Sequence, residues 1–303
     1  MSNKNIILPA WILIVFCTGA ATAQSIRPVI RFGIISDIQY CDCETSGSRY
    51  YRNSLHKLEA CVEDLNKAKV GFSVNLGDVT DRNPADLPPV LSVLKKLRKK
   101  VYTTPGNHDY KGIGDNLELY RRLDMPGEYY FFRKKRWVFI MLNTNEVASY
   151  ANIAGTLKEK ELQQMKDRIK KNDGHNAQEY NGGISRVQLQ WLDSLLQQAQ
   201  KAGDRVLIFS HHPFSCAKGL TALNDREVLS TVEKYSCVKA LIAGHHHGGA
   251  FCYAGSIPCI VTEGMVETAS ENAYGIIEIF KDRLILTGKG RTRSHEVLFQ
   301  EHL

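Results

Sequence analysis

Short apolar runs alternate along this chain with longer segments that have helical periodicity. The runs Ile30 to Ile35 and Phe72 to Leu76 predict buried strands. The segment between them, Tyr50 to Lys69, repeats apolar residues such as Leu58 and Leu65 on one helical face and predicts a helix. Strands and helices in alternation, followed by several strands near the end, indicate an α/β fold rather than a helix bundle or an all-β domain.

The same criteria place the remaining elements. Strands are expected at 101–104, 137–142, 205–209, 238–243, 250–253, 257–262, 274–280 and 283–287, and helices at 84–99, 185–202 and 226–235. Ser185 and Gln188 have the spacing of a capping box at the start of a helix. Residues 146–183 are the least regular part of the chain, and a loop of that length is expected to shape access to a site.

Composition excludes several classes of protein and partner. The chain has 303 residues, of which 43% are hydrophobic and 23% charged, so it has enough apolar surface for a core and is neither collagen-like nor disordered. Its formal net charge is +7, but the basic residues are scattered apart from runs at 95–100 and 133–136. We interpret these runs as a solvated helix end and a hairpin turn, and we expect no nucleic-acid partner.

The first 24 residues have the layout of a secretory signal peptide. Lys4 precedes an apolar stretch, which ends in small residues with a cleavage pattern at Ala21-Thr22-Ala23. The stretch is shorter than the roughly 20 apolar residues that a membrane-spanning helix needs. We therefore expect cleavage after residue 24, a single domain over 25–303, a periplasmic or extracellular location, and no stable membrane insertion once the signal is removed.

The cysteines are consistent with export. Seven would remain after cleavage, an odd number, so at least one thiol must stay free within the chain. Cys252 and Cys259 flank a turn signal at Gly255-Ser256, which favours a disulfide between them in an oxidising compartment. Cys41 and Cys43 lack the spacing of a zinc site, so a thiolate metal site is not expected.

Residues of metal-ligand type follow the predicted strands. They are Asp37 and Gln39, Asp78, Asn107 with His108, His211, and His245 with His247. An aspartate after a strand is usually a turn or cap residue, and a lone histidine is usually structural. Together they indicate a metal centre, because open α/β sheets place their sites at the carboxyl ends of strands and these ligand types suit Mn, Fe and Zn. Their number exceeds what one metal ion needs.

The order D-x-Q, G-D, G-N-H-D, H-x-P and G-H-x-H resembles the calcineurin-like metallophosphoesterase superfamily. That resemblance implies a four-layer α/β/β/α sandwich holding two metal ions about 3.5–4 Å apart. Carried over, Asp78 would bridge the ions. The first ion would be held by Asp37, Gln39 and His247, and the second by Asn107, His211 and His245.

The resemblance also assigns the neighbouring residues. His108 would be the catalytic imidazole, oriented by Asp109, whereas His212 and His246 would not be ligands and Asp81 would be a cap or a supporting residue. Gln39 stands where the family usually has histidine; it is either a weaker ligand, which favours Mn over Zn, or a loop side chain that touches no metal.

Segments outside the metal motifs resemble, more narrowly, the manganese-dependent ADP-ribose/CDP-alcohol diphosphatase family. They are 32–40, 49–55, 180–192, 263–269 and 288–291. The resemblance implies two divalent ions, most readily Mn, with Fe or Zn as alternatives. It also implies a small-molecule substrate, a nucleoside diphosphate conjugate, whose phosphoanhydride is cleaved to a nucleoside monophosphate by a hydroxide that the two metals activate.

Other functions stay open on the residues alone. The same metal core could serve a phosphomonoesterase or a cyclic-nucleotide phosphodiesterase, and a binding scaffold could keep the fold without the chemistry. Arg49 and Arg52 are candidates for contacting a phosphate, or they simply solvate the start of a helix.

Overall fold

The computed structural model describes residues 27–299, so the predicted signal peptide lies outside the described residues. The strands are β1 Ile30–Ile35, β2 Ser73–Asn75, β3 Val101–Thr103, β4 Tyr130–Lys134, β5 Trp137–Met141, β6 Arg205–Ser210, β7 Val238–Ala243, β8 Ala250–Ala254, β9 Ile257–Val261, β10 Ala273–Ile279, β11 Arg283–Gly290 and β12 His295–Leu298. The helices are α1 Asn53–Lys67, α2 Leu87–Leu94, α3 Asn116–Arg122, α4 Leu157–Lys171, α5 Arg186–Ala202 and α6 Asp225–Val232.

Two six-stranded sheets form the centre of the fold. The first has the order β12-β11-β10-β1-β2-β3 and the second the order β4-β5-β6-β7-β9-β8. Strands β1, β2 and β3 run parallel, as do β5, β6, β7 and β9. The strands predicted to carry the site, β1 to β3 and β6 with β7, therefore belong to two sheets and not to one.

Aromatic side chains fill the space between the sheets. Phe32 of β1 packs edge-on against Phe139 of β5 and Phe209 of β6, with ring centroids 5.8 Å and 6.0 Å away. On the outer faces, α1 and α2 cover the first sheet, and α5 and α6 cover the second through a separate apolar cluster that includes Leu192 and Leu196. This is the predicted four-layer α/β/β/α arrangement, in which two sheets enclose one core and helices enclose each sheet.

Helix α5 begins as predicted, but its capping box is incomplete. The Ser185 hydroxyl accepts a hydrogen bond from the backbone N–H of Gln188 at 3.1 Å. The Gln188 side chain does not return to Ser185 and instead donates to the backbone carbonyl of Asn143. The carboxylate of Glu146 accepts from the Ser185 backbone N–H at 2.9 Å in its place. The helix start is thereby tied to the loop after β5.

The prediction that residues 146–183 lack regular structure was wrong over α4. That helix is mostly charged, and its buried residues are only Met165 and Ile169, so the apolar period that reveals a helix is weak. Helix α3 and strands β4 and β12 also escaped prediction. The helix expected over 84–99 consists of a 3₁₀ turn and α2, which ends at Leu94 before the basic run.

The cysteine prediction was wrong in its pairing. Cys252 forms a disulfide with Cys216, and Cys41 forms one with Cys43. Cys259 lies opposite Cys252 in the β8–β9 register but is a buried free thiol, as are Cys61 and Cys237. Cys216 comes from the loop after β6, which packs beside β8, a neighbour that the local sequence does not show. The expectation of at least one free thiol is confirmed.

Between residues 27 and 299, no helix combines the length and apolar character needed to cross a membrane.

Candidate metal centre

The predicted ligand residues come together where strands of both sheets end. Asp37, Asp78 and Asn107 follow β1, β2 and β3, while the histidines follow β6 and β7. The side chains of Asp37, Asp78 and His211 are almost fully buried, and a donor atom from each lies within 4.8 Å of the others. The site therefore lies between the two sheets, and neither sheet could form it alone.

The backbone of the site takes the left-handed conformation at several residues that are not glycine. The φ angle is 52° at Asp37, 41° at Gln39, 53° at Asp78 and 67° at His245. Such angles are uncommon outside glycine and cost free energy, which the surrounding packing must offset. The concentration of strain at these residues is typical of a functional site.

A glycine permits the close approach of two loops at the centre. A Cβ atom on Gly106 would lie 2.1 Å from Oδ1 of Asp78, so any larger residue would displace that carboxylate. Gly244 is similarly confined, because its Cβ would lie 2.8 Å from Oδ2 of Asp37. These two contacts explain why glycine precedes the ligand-type residues after β3 and β7.

The first group of donors surrounds Asp37. Nε2 of His247 lies 3.5 Å from Oδ1 of Asp37 and 3.1 Å from the amide nitrogen of Gln39. The same amide nitrogen lies 2.8 Å from Oδ2 of Asp78. Gln39 thus sits within the centre, as expected of a ligand and not of a distant loop side chain. Exchanging its amide O and N by rotation would direct the oxygen to this point.

The second group of donors surrounds His211. Nε2 of His211 lies 3.0 Å from Oδ1 of Asn107, 3.2 Å from Nδ1 of His245 and 3.5 Å from Oδ2 of Asp78. Nδ1 of His211 hydrogen-bonds with the Leu76 carbonyl, which leaves Nε2 directed into the site. Oδ2 of Asp78 is therefore shared between both groups, the position required of a bridging carboxylate.

The chemistry of these donors fits divalent metal ions. Oδ1 of Asp37 is a buried oxygen atom at the centre with no hydrogen-bond partner among the described residues. Unpaired buried polar atoms are costly, and a cation bound by them would remove that cost. Carboxylate, amide and imidazole donors together suit Mn, Fe or Zn.

Histidine protonation depends on the carboxylates around the site. Burial alone would lower the pKa of His247, but the nearby carboxylates of Asp37 and Glu267 outweigh this effect and raise the pKa to about 9. Burial and the neighbouring histidines hold the pKa of His245 well below its usual value. His245 is therefore neutral near pH 7, as a metal ligand must be.

His108 lies beside the two donor groups, at the amino end of a 3₁₀ turn. Its Nε2 atom is 4.0 Å from Oδ2 of Asp78, and its Nδ1 atom is 2.9 Å from Oδ1 of Asp81. Burial would lower the pKa of His108, but the carboxylates of Asp78 and Asp81 raise it above its ordinary value. Both carboxylates favour the protonated imidazole that a proton donor needs.

The prediction that Asp109 orients His108 was wrong. Its carboxylate accepts hydrogen bonds from the backbone N–H groups of Val79 at 2.8 Å, Thr80 at 3.0 Å and Gly106 at 2.9 Å. Asp109 therefore joins the loops after β2 and β3. Burial and the nearby charge of Asp78 raise its pKa to about 7. The carboxylate that contacts Nδ1 of the imidazole is that of Asp81, for which the sequence predicts only a cap or a supporting role.

Two further residues at the centre were not predicted. Oε1 of Glu267 lies 2.7 Å from Nδ1 of His247, so that the other ring nitrogen faces the donors. Oδ1 of Asn181 lies 3.0 Å from Nε2 of His245 in the same way. Partners of this kind fix the tautomer and orientation of ligating histidines. Both belong to segments that the narrower family resemblance had already marked, 180–192 and 263–269.

A buried lysine secures the loop that carries Glu267. Lys57 of α1 donates hydrogen bonds to the backbone carbonyls of Glu267 at 2.8 Å and Thr268 at 3.0 Å, and also to that of Met265. Burial and the charge of Arg291 lower the pKa of Lys57 to about 8. The loop position is thus set by α1, on the outer face of the first sheet.

His212, one of the two histidines predicted not to be ligands, is held by other groups. Its Nδ1 atom lies 2.9 Å from the Thr144 hydroxyl and its Nε2 atom 3.0 Å from the Tyr180 carbonyl. Both ring nitrogens are thereby occupied. Through Tyr180 and Asn181, the 146–183 segment reaches the centre. The same segment and residues 214–229 also line a cavity of about 720 Å³, which none of the predicted site residues lines.

Comparisons with known proteins agree with this geometry. The family model for calcineurin-like phosphoesterases matches residues 30–249. Curated proteins named manganese-dependent ADP-ribose/CDP-alcohol diphosphatase are 29% identical: the Danio rerio protein over 90% of this chain and 99% of its own length, and the Arabidopsis thaliana protein over 91% and 98%.

Solved structures give the same result. A dimetal phosphatase from Danio rerio is 26% identical and has a TM-score of 0.82, covering 90% of this chain and 100% of its own. The chain belongs to the calcineurin-like phosphoesterase family, and it is a hydrolase of phosphoric esters or anhydrides.

Proposed function

We propose that this enzyme hydrolyses the phosphoanhydride of nucleoside diphosphate conjugates, such as ADP-ribose or CDP-alcohols, and releases a nucleoside monophosphate. The observation that carries the proposal is the pair of contacts from Asn181 to His245 and from Glu267 to His247. These contacts come from segments that resemble the diphosphatases specifically, and they support the histidines of both donor groups. Relatives named for this activity align over nearly their whole length.

Two groups of residues would hold the two metal ions. One divalent cation would be held by Asp37, Gln39 and His247. The other would be held by Asn107, His211 and His245, and Asp78 would bind both cations. Mn fits this set best, because the relatives are named manganese-dependent and a neutral glutamine amide replaces a histidine. The chemistry that such a pair of cations supplies is neutralisation of phosphoryl oxygens and a lowered pKa of the attacking water.

His108 would act on the leaving oxygen. A substrate phosphoryl group between the donor groups would lie beside its Nε2 atom, since that atom is 4.0 Å from the shared carboxylate oxygen of Asp78. Asp81 holds the opposite ring nitrogen and favours the imidazolium. His108 would therefore donate a proton to the oxygen of the departing phosphoryl group.

The test uses metal-stripped protein that lacks residues 1–24, with Mn²⁺ added back. We expect AMP release from ADP-ribose at much greater kcat/KM than the turnover of p-nitrophenyl phosphate. Asp78→Asn and His108→Ala separate the roles: the first should lose both metal and activity, while the second should bind Mn²⁺ normally and lose activity. Turnover of the monoester with inert ADP-ribose would leave the hydrolase assignment but overturn the diphosphatase proposal.

We also propose that the enzyme is exported. The signal-like layout of residues 1–24 supports this, and so do the disulfides Cys41–Cys43 and Cys216–Cys252, because disulfides are typical of oxidising compartments. Fractionation of cells that express the full chain, with mass spectrometry of the mature amino terminus, tests it. Recovery of the uncleaved chain from the cytosol would contradict the proposal.

A further inference from the structure

Positively charged side chains gather around one carboxylate beside His108. Nη1 of Arg49 lies 4.0 Å from Oδ1 of Asp81, and Nε of Arg82 lies 3.0 Å from Oδ2. Nζ of Lys111 lies 2.9 Å from Nδ1 of His108, which itself contacts Asp81. Three basic side chains thus gather at this edge of the centre around Asp81, with Asp78 and Glu267 as the neighbouring carboxylates. Basic side chains in this number favour an anionic ligand there.

Arg49 lies in the loop before α1. Of the two arginines that contact Asp81, it is held less firmly. Its contact with Asp81 is long, and its side chain is 38% exposed, so its guanidinium can turn toward a ligand. Arg82, by contrast, has a short contact with Asp81 and also lies over the ring of Tyr51. Arg52, the other arginine that the sequence suggested, is held by Asp42 and Glu44 at 2.7 Å each.

The backbone fixes Arg49 beside the donor groups. The backbone of Arg49 forms an isolated antiparallel β-bridge with that of Glu267, the residue that contacts His247. The adjacent N–H of Tyr50 donates to the Val266 carbonyl at 2.9 Å. Arg49 therefore stands between His247 on one side and the Asp81–His108 pair on the other.

We propose that Arg49 binds the second phosphoryl group of a diphosphate substrate, the one that the metal donors do not hold, and so selects diphosphates over compounds with a single phosphate. The inference rests on the proposed function. When one phosphoryl group lies among the metal donors with its leaving oxygen beside His108, the next phosphoryl group falls on the same side as Asp81 and Arg49. The planar guanidinium can donate two parallel hydrogen bonds to its oxygens.

The first experiment measures substrate selectivity in Arg49→Met and Arg49→Lys. A hydrogen bond between charged groups is strong enough that we expect kcat/KM for ADP-ribose to fall about 10- to 100-fold in Arg49→Met. Hydrolysis of bis-p-nitrophenyl phosphate, which has one phosphate, should change by less than about threefold, because it lacks the second phosphoryl group. Arg49→Lys should restore part of the loss. Arg52→Met, a matched arginine of the same loop, should leave both activities unchanged.

The second experiment measures binding without turnover. Calorimetry on Mn²⁺-loaded protein compares AMP with the non-hydrolysable α,β-methylene-ADP. We expect Arg49→Met to weaken binding of the diphosphate analogue at least about tenfold more than binding of AMP. This comparison also tests Arg49 if ADP-ribose is not hydrolysed at all, in which case the proposed function fails while the diphosphate preference can still be measured.

Several results would overturn the inference. An equal loss on both substrates would mean that Arg49 positions the donors or His108. The same loss in Arg52→Met would mean that the effect comes from a changed conformation of the loop and not from the Arg49 side chain. If Arg49→Met left the ratio of the dissociation constants of AMP and α,β-methylene-ADP unchanged, contact between Arg49 and a second phosphate would be excluded.

Discussion

Glu267 and Asp81 are carboxylates that position two histidines of this enzyme and raise their pKa values. Each lies within 3 Å of a ring nitrogen of one histidine, Glu267 at His247 and Asp81 at His108. The two histidines need opposite protonation states. A cation bound by His247 would have to displace the proton that the raised pKa of about 9 favours, whereas His108 must keep its proton.

Glu267→Gln is expected to weaken binding of the first ion and leave the fold intact. The amide can still accept a hydrogen bond from His247, but it no longer supplies the negative charge that raises the basicity of the imidazole. Loss of such a partner typically costs about 10- to 100-fold in metal affinity. Activity measured against Mn²⁺ concentration checks this. The exposed Glu271→Gln provides the control; an unchanged Mn²⁺ requirement in Glu267→Gln would contradict the assignment.

Asp81→Asn is expected to shift the pH profile of the reaction. The Asp81 carboxylate helps to raise the pKa of His108, so its removal lowers that pKa. The proton donor is then lost at a lower pH, and the alkaline limb of the kcat profile moves toward acid. A profile of kcat against pH for both proteins measures the shift. A limb that stays in place, or moves toward alkaline pH, would show that His108 does not donate the proton.

At the scale of elements, the loops after the strands are anchored by helices on the outer faces. Lys57 of α1 holds the loop of Glu267, and the start of α5 holds the loop after β5 through Ser185 and Glu146. The sheets set where these two loops begin, and contacts with α1 and α5 fix the path that each of them takes.

Ser185→Ala should lower the free energy of unfolding by about 1–3 kcal/mol. The change removes the hydroxyl that accepts from Gln188 and donates to the buried Glu146 carboxylate. Urea denaturation measures the loss. Ser194→Ala, at an exposed position within α5, is the matched control and should be close to neutral. Equal stability of the two variants would mean that the cap contributes nothing.

At the scale of the molecule, the centre joins the two sheets. Asp37, Asp78 and Asn107 come from the first sheet and the histidines after β6 and β7 from the second, so a cation bound among them links both halves of the core. Bound metal should therefore contribute to the stability of the whole fold and to catalysis alike.

Removal of metal is expected to lower the melting temperature. A ligand present at about 100 times its Kd adds about 2.7 kcal/mol to the free energy of unfolding, which corresponds to about 5–10 °C for a domain of this size. Calorimetric scans with Mn²⁺ and with EDTA measure the difference. Asp78→Asn should melt at nearly the same temperature in both conditions. If EDTA left the melting temperature of the wild-type protein unchanged, the protein would not contain a stably bound metal ion.

The sequence by itself determined the order of most strands and helices and the ligand-type residues that follow the strands. Those features are local, because a buried strand needs a continuous apolar run and a site at its carboxyl end uses the residues directly after it. Helix α4 was missed for the same reason, since its nearly all-polar surface leaves little apolar period.

Only the tertiary structure decided which partner each of these groups has. The pairing of Cys216 with Cys252, the choice of Asp81 over Asp109 beside His108, and the contact of Asn181 with His245 all join loops whose neighbours depend on how the two sheets pack. Hydrogen bonds and disulfides act over a few ångströms, so they follow distance in space and not spacing along the chain.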